Sequence, residues 1–211
     1  MKKVFVLLVV FCLFIVLIAP SVSAKQSKGN ETSVNYQLSD ELIEEVQKGK
    51  AISPYVDSSD LFIEFDHKQA LKDGLDEILV EQTKEVYDKA NDYLLKQQNT
   101  QKSQLTVGTS SVEPSCRGSN YEDLEFWGGT VYVDSCKADH MAAIIAIGGG
   151  VAAIVGFFPG ATPLGVAAAV YTTVTAGAIN YANAGSTGVK FNVARNWYWH
   201  DSYSIVCVRS Q

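Results

Sequence analysis

Residues 140–189 run for fifty positions without a single Asp, Glu, Lys or Arg. A stretch that long without charge must become the core of a domain, enter a bilayer, or travel covered inside a precursor. Pro159, Gly160 and Pro163 cannot continue a helix and divide the run into two arms, 141–158 and 164–182, of 18 and 19 residues. As helices the arms are about 27 to 29 Å long, close to the hydrocarbon thickness of a bilayer. Their apolar, membrane-inserting set is Ile144, Ile145, Ile147, Val151, Ile154, Phe157 and Phe158 in the first arm and Val166, Val170, Val174 and Ile179 in the second. Small residues recur every fourth position: Gly148, Ala152 and Gly156, then Gly165, Ala169, Thr173 and Gly177. That spacing lets helices approach closely, so these are the expected helix-packing positions. The eight Ile, Val and Phe side chains of the first arm favour insertion by roughly −2 to −5 kcal/mol before its glycines count against it. The second arm has five Leu, Ile or Val, opposed by Thr172, Thr173, Thr175 and Asn180. The pair is apolar enough to enter a bilayer when packed together, and too weakly apolar to halt export.

Export is expected from the N-terminus. Two lysines precede sixteen uncharged, mostly apolar residues (4–19), and small residues end at Val22-Ser23-Ala24. This is the plan of a secretory signal peptide over 1–24, cut after Ala24 by signal peptidase; an uncleaved N-terminal anchor is the alternative. Lys25 follows the cut, so the Cys needed by a lipoprotein is missing there. The remaining chain is uneven in charge. Residues 25–115 carry 17 acids and 10 bases, whereas 116–211 carry 6 acids and 5 bases. No basic cluster exists to neutralise several phosphates, which argues against nucleic acid as a partner.

The acidic front, 25–96, reads as a helical pro-region. Ser39 is a candidate N-cap for a short helix with Leu42, Ile43 and Val46 on its apolar side and Gly49 as its stop. From His67, apolar residues at three- and four-residue steps predict a long amphipathic helix that Gly74 weakens locally. Residues 97–115, rich in Gln, Ser and Thr, predict an exposed, protease-accessible linker. Residues 116–211 then form the apolar region. "GGTVYVDSC" predicts a short strand, and the alternating pattern from Val189 to Cys207 predicts a C-terminal β-hairpin, whose Trp, Tyr and Arg content suits either a small core or a membrane interface. The expected fold is mainly α: a helical front, then an apolar helical hairpin flanked by a short strand and the β-hairpin.

Three cysteines follow the signal peptide: Cys116, Cys136 and Cys207. Export permits a disulfide, and two pairings are open: Cys116 with Cys136, or Cys136 with Cys207. Catalytic and metal chemistry find little support. Cys136 and His140 have a ligand-like spacing, but no second pair follows. His200, Asp201 and Ser202 are triad residue types, yet neighbours on a turn point apart. Gly148 to Gly150 lack the residues of a phosphate loop. No catalytic residue, metal or cofactor is expected.

The order of signal peptide, acidic helical front, polar linker, Val112-Glu113-Pro114-Ser115-Cys116 and an Ala/Val/Gly-rich run resembles the sporulation-delaying cannibalism toxin family of Gram-positive bacteria. The resemblance implies an exported precursor, processed to a hydrophobic, disulfide-containing product that collapses the membrane proton gradient of related cells. It also implies secretion machinery, processing and immunity proteins, and a target-cell membrane as partners. This chain differs in having its first two cysteines twenty residues apart and in carrying the aromatic C-terminal hairpin. The alternative is a secreted or surface-associated structural or interaction protein in which the arms are a buried helical core.

Overall fold

Ser39 is a helix cap, its hydroxyl oxygen accepting the Leu42 N–H at 3.2 Å. The fold is that of a computed structural model, which describes residues 39–104, 116–158, 162, 164–195 and 203–211. Helix α1, Asp40–Ile52, runs through Gly49 rather than stopping there and ends where Pro54 opens a 3₁₀ turn, Ser53–Tyr55. Two short strands, β1 Val56–Asp57 and β2 Glu64–Phe65, pair antiparallel. The long helix expected from His67 is two: α2, His67–Lys72, and α3, Glu77–Gln104. Gly74 separates them at φ +90°, a left-handed conformation that ends a helix readily, and the Asp76 carboxylate restarts it by accepting the Leu79 N–H at 2.9 Å. Helix α3 extends to Gln104, so the expected polar linker begins as helix; 105–115 lie outside the described residues.

Four strands form the second sheet in the order β3-β4-β5-β6, antiparallel throughout: Tyr121–Glu125, Gly128–Val133, Val189–Arg195 and Tyr203–Ser210. The expected short strand (β4) and C-terminal hairpin (β5 and β6) are present and are joined edge to edge. Strand β3 was not expected, because Tyr-Glu-Asp-Leu-Glu has too many acids to read as strand; pairing with β4 supplies what propensity withholds. The class is therefore mixed α/β rather than mainly α.

The charge-free run leaves the sheet at β4 and returns at β5, its two neighbouring central strands. It is broken into four helices: α4 Ser135–Ala146, α5 Val151–Val155, α6 Leu164–Thr173 and α7 Ala176–Ala182. Neither arm is one continuous helix. Gly148, at φ +73°, ends α4, and Thr175 caps α7 by accepting the Ala178 N–H. Among the described residues no helix is long and apolar enough to cross a membrane. Pro159, Gly160 and Pro163 lie outside the described residues.

Candidate functional site

Of the eleven apolar residues expected to insert, nine are buried: Ile144, Val151, Ile154, Phe157, Phe158, Val166, Val170, Val174 and Ile179. Ile145 and Ile147 are half-buried against the same core. That core is common to the acidic front and the apolar run: Val46 and Ile52 of α1 and Val80, Tyr87, Ala90 and Leu94 of α3 belong to it, as do Val131, Val133, Phe191 and Val193 on the inner face of the sheet. The outer faces of α1 and α3 carry the charge, with Lys48–Glu44, Lys84–Asp88 and Lys89–Glu85 ion pairs spaced one helical turn apart.

The front half meets the arms closely at several points. Gly49 of α1 lies so near α5 that a Cβ there would stand 2.4 Å from the Ala152 carbonyl oxygen and 2.9 Å from Val155 Cβ. Gly149 sits under α3, where a Cβ would approach Val86 Cγ1 to 3.0 Å. The Tyr87 hydroxyl, buried in α3, donates to the Ala153 carbonyl at 3.1 Å, and burial pushes its pKa well above the usual phenol value. Part of the expected small-residue stripe thus serves contact with the front half: Ala152 faces Gly49, and Gly156 faces Ser53. Gly165 and Ala169 are buried, whereas Gly148, Thr173 and Gly177 are exposed.

A polar clasp holds the start of the run. Asp134 caps α4 by accepting the Lys137 N–H at 2.9 Å, and its other carboxylate oxygen accepts from Asn120 Nδ2. Asn183, at the end of α7, donates to the Ser135 carbonyl at 2.9 Å and to Asp139 Oδ1 at 2.7 Å, while its own oxygen accepts the Gly188 N–H at 3.0 Å. One asparagine therefore ties both ends of the apolar excursion together. The pairing Cys116–Cys136 is the one formed, twenty residues apart, and Cys207 is free on β6. The Cys116 sulfur rests 3.0 Å from the Ser59 carbonyl oxygen, which places the disulfide against the front half.

Asp139 and Asn183 open into a half-enclosed cavity of about 650 Å³ between α3, α4 and α7, with Lys96 and Gln97 on its far wall. The surrounding protein pushes the Asp139 pKa up, and the Asn183 hydrogen bond opposes that shift. On the other side of α4, His140 is fully buried against the Phe157 ring at 5.6 Å between centroids. Neither of its ring nitrogens has a hydrogen-bond partner in good geometry. Burial lowers its pKa below the usual histidine value, outweighing the nearby Leu61 backbone and Asp134, which favour the charged form; Lys137 adds to the lowering.

No family model, curated protein or solved structure matches this chain. The geometry alone therefore carries the functional reading. Cys136 is committed to the disulfide and His140 faces the core, so the spacing that suggested a zinc pair is not used as one. The triad-like His200, Asp201 and Ser202 lie outside the described residues. Sequence reasoning missed Asn91 and Asn183 and took Gly49 for a helix stop. Asn91 is a clear omission, because its amide pairs with both the N–H (2.8 Å) and the carbonyl (2.9 Å) of Ile63, fixing the β1–β2 loop to α3. A polar residue on the apolar side of a helical pattern was the available signal.

Proposed function

We propose that the chain is a secreted toxin precursor of the bacteriocin type, whose acidic front half covers the apolar arms until processing frees the C-terminal region to enter and depolarise a bacterial membrane. The observation that carries this reading is the shared core. Helices α1 and α3 turn their apolar sides to the arms and their charged sides to solvent, which is how a carrier keeps a membrane-seeking cargo soluble. The arms are short, broken helices in this folded state, so insertion requires them to lengthen across Ile147–Gly150 and Val174–Thr175 once the front half is removed. The run that holds the arms is flanked by β4 and β5, and the disulfide lies wholly within 116–211, so the freed region would keep its own covalent tie.

A second reading, a secreted structural or interaction protein in which the arms are simply the core, is favoured by that same continuity of packing between front and rear. The two part on one measurement. The product purified from the culture medium is analysed by intact mass and applied to sensitive cells carrying a membrane-potential dye. A product shorter than the exported chain that depolarises, beside an intact chain that does not, supports the precursor. An intact chain as the only secreted species, with no depolarisation, supports the structural protein.

A further inference from the structure

His140 is fully buried, and a leucine or methionine could pack there without leaving two ring nitrogens unpaired. Of the buried polar side chains among the described residues, it alone is of a type that changes charge between about pH 5 and 8. Its place in the core is a junction. The imidazole meets the Phe157 ring at 5.6 Å between centroids, Phe157 meets Tyr87 at 6.2 Å, and Tyr87 meets Phe65 edge to face at 5.6 Å. This column of rings starts on α4, passes the end of the first arm and α3, and ends on β2, so it crosses from the rear half into the front half. None of its rings belongs to the four-stranded sheet, whose ladders are complete without it.

The backbone of Leu61, in the β1–β2 loop, lies beside the imidazole. The loop is fixed on either side of that residue: the Cys116 sulfur rests on the Ser59 carbonyl, and the Asn91 amide pairs with the N–H and carbonyl of Ile63. Leu61 also lines the half-enclosed cavity, so on that side it stands between the ring and the cavity's water. Few charges face the imidazole. At the start of α4, Asp134 favours the charged ring and Lys137 opposes it, while Asp139 lines the cavity. Asp57 and Asp60, of β1 and its loop, are exposed; α3 brings the Tyr87 hydroxyl, already given to the Ala153 carbonyl; the run from 140 to 189 brings no acid, lysine or arginine. A proton on the ring would therefore create a charge without an adequate partner, offset only in part by the tilted Phe157 ring. A group charged in such a place must reach water, and what covers it must give way. We propose that His140 is an acid-operated latch: when its ring takes up a proton, the β1–β2 loop lifts, the column loosens where Phe157 meets Tyr87, and the front half loosens from the arms while the four-stranded sheet stays folded. The latch belongs to the fold, so it goes beyond the toxin reading and holds equally for a structural protein.

The test follows the intact exported chain from pH 7.5 to 5.0 by the binding of a hydrophobic dye and by hydrogen exchange corrected for its intrinsic pH dependence. Dye binding is expected to rise several-fold and reversibly, with a midpoint below the ordinary histidine value of about 6.5. Protection is expected to be lost over 58–65 and 151–158 and kept in β4 and β5. His140→Leu, which keeps Asp139, is expected to show neither change, whereas His67→Gln/His200→Gln, which leaves His140 as the one histidine of the chain, is expected to show both. Three results overturn the inference: dye binding by the wild type that stays flat to pH 5.0, the same rise in His140→Leu, or protection lost in β4 and β5 at the same midpoint, which is unfolding of the whole chain. Should His140→Leu not fold, the double variant decides through the NMR signal of its single imidazole. Titration of that ring at the midpoint of dye binding supports the latch, and titration apart from it overturns the latch. None of these results bears on the precursor reading, which depends on depolarisation by the processed product.

Discussion

His140 and Asp139 are neighbours on α4 whose environments act in opposite directions on stability. Burial lowers the folded-state pKa of His140, so the unfolded chain binds its proton first. Stability is then complete above the unfolded value of about 6.5 and falls as pH drops through that value towards the folded one. Asp139 has the reverse sign. Its folded pKa is raised, so the folded chain takes up that proton first and gains stability as pH falls. Urea unfolding between pH 7.5 and 5.5 should therefore show wild-type stability declining on the acid side, with the decline abolished in His140→Leu, while Asp139→Asn should lack the gain that the wild-type carboxyl contributes at lower pH, on the way down to the ordinary carboxylate range. The asparagine keeps a carbonyl acceptor for Asn183 Nδ2, so its effect reports the charge. An unchanged acid slope in His140→Leu would assign the decline to the exposed carboxylates instead.

Helix α1 packs on α5 because Gly49 has no side chain. In an isolated helix Gly49→Ala would gain about 1 kcal/mol from propensity. Here the added Cβ would press on the Ala152 carbonyl, which is backbone and cannot turn aside as a side chain could. The clash outweighs the gain, and Gly49→Val should destabilise the fold by about 1–3 kcal/mol. Displacement of α1 should also expose the first arm, measurable as increased binding of a hydrophobic dye under native conditions. Gly150→Ala is the control, since the nearest atom to a Cβ there is the end of the Glu45 side chain at 3.7 Å. Equal dye binding by the two variants would mean that α1 does not cover the arm.

At the scale of the whole molecule, the disulfide found among the described residues lies entirely within the region that follows residue 115, and no cross-link among those residues ties the front helices to it. Packing of α1 and α3 on the arms should then hold the two pieces together after a cut in 105–115. A site for a specific protease placed there should yield two fragments that co-elute on gel filtration and separate only in denaturant. Fragments that separate at once on cutting would show that cleavage by itself uncovers the arms. Co-elution would make processing a two-step event, a cut followed by displacement of the front half.

The sequence by itself determined what depends on local chemistry. The charge-free run, its division around Pro159 and Pro163, the cap at Ser39, the amphipathic face of α3 and the alternating strands β4, β5 and β6 all follow from residue periodicity and breaker positions, and the structure bears out the elements that fall on its described residues. What lay beyond it was decided by contacts between distant residues. Strand β3 exists because β4 offers it an edge, and Cys136 chooses Cys116 because the Ser135 N–H donates to the Arg117 carbonyl and the Arg117 N–H donates to the Ser135 hydroxyl oxygen, which draws those two cysteines together. Gly49 read as a helix stop, since a lone sequence shows a missing side chain but not the neighbour that requires its absence. The same limit hid Asn183, whose three partners are five to forty-eight residues away and converge only once the run has folded back on itself.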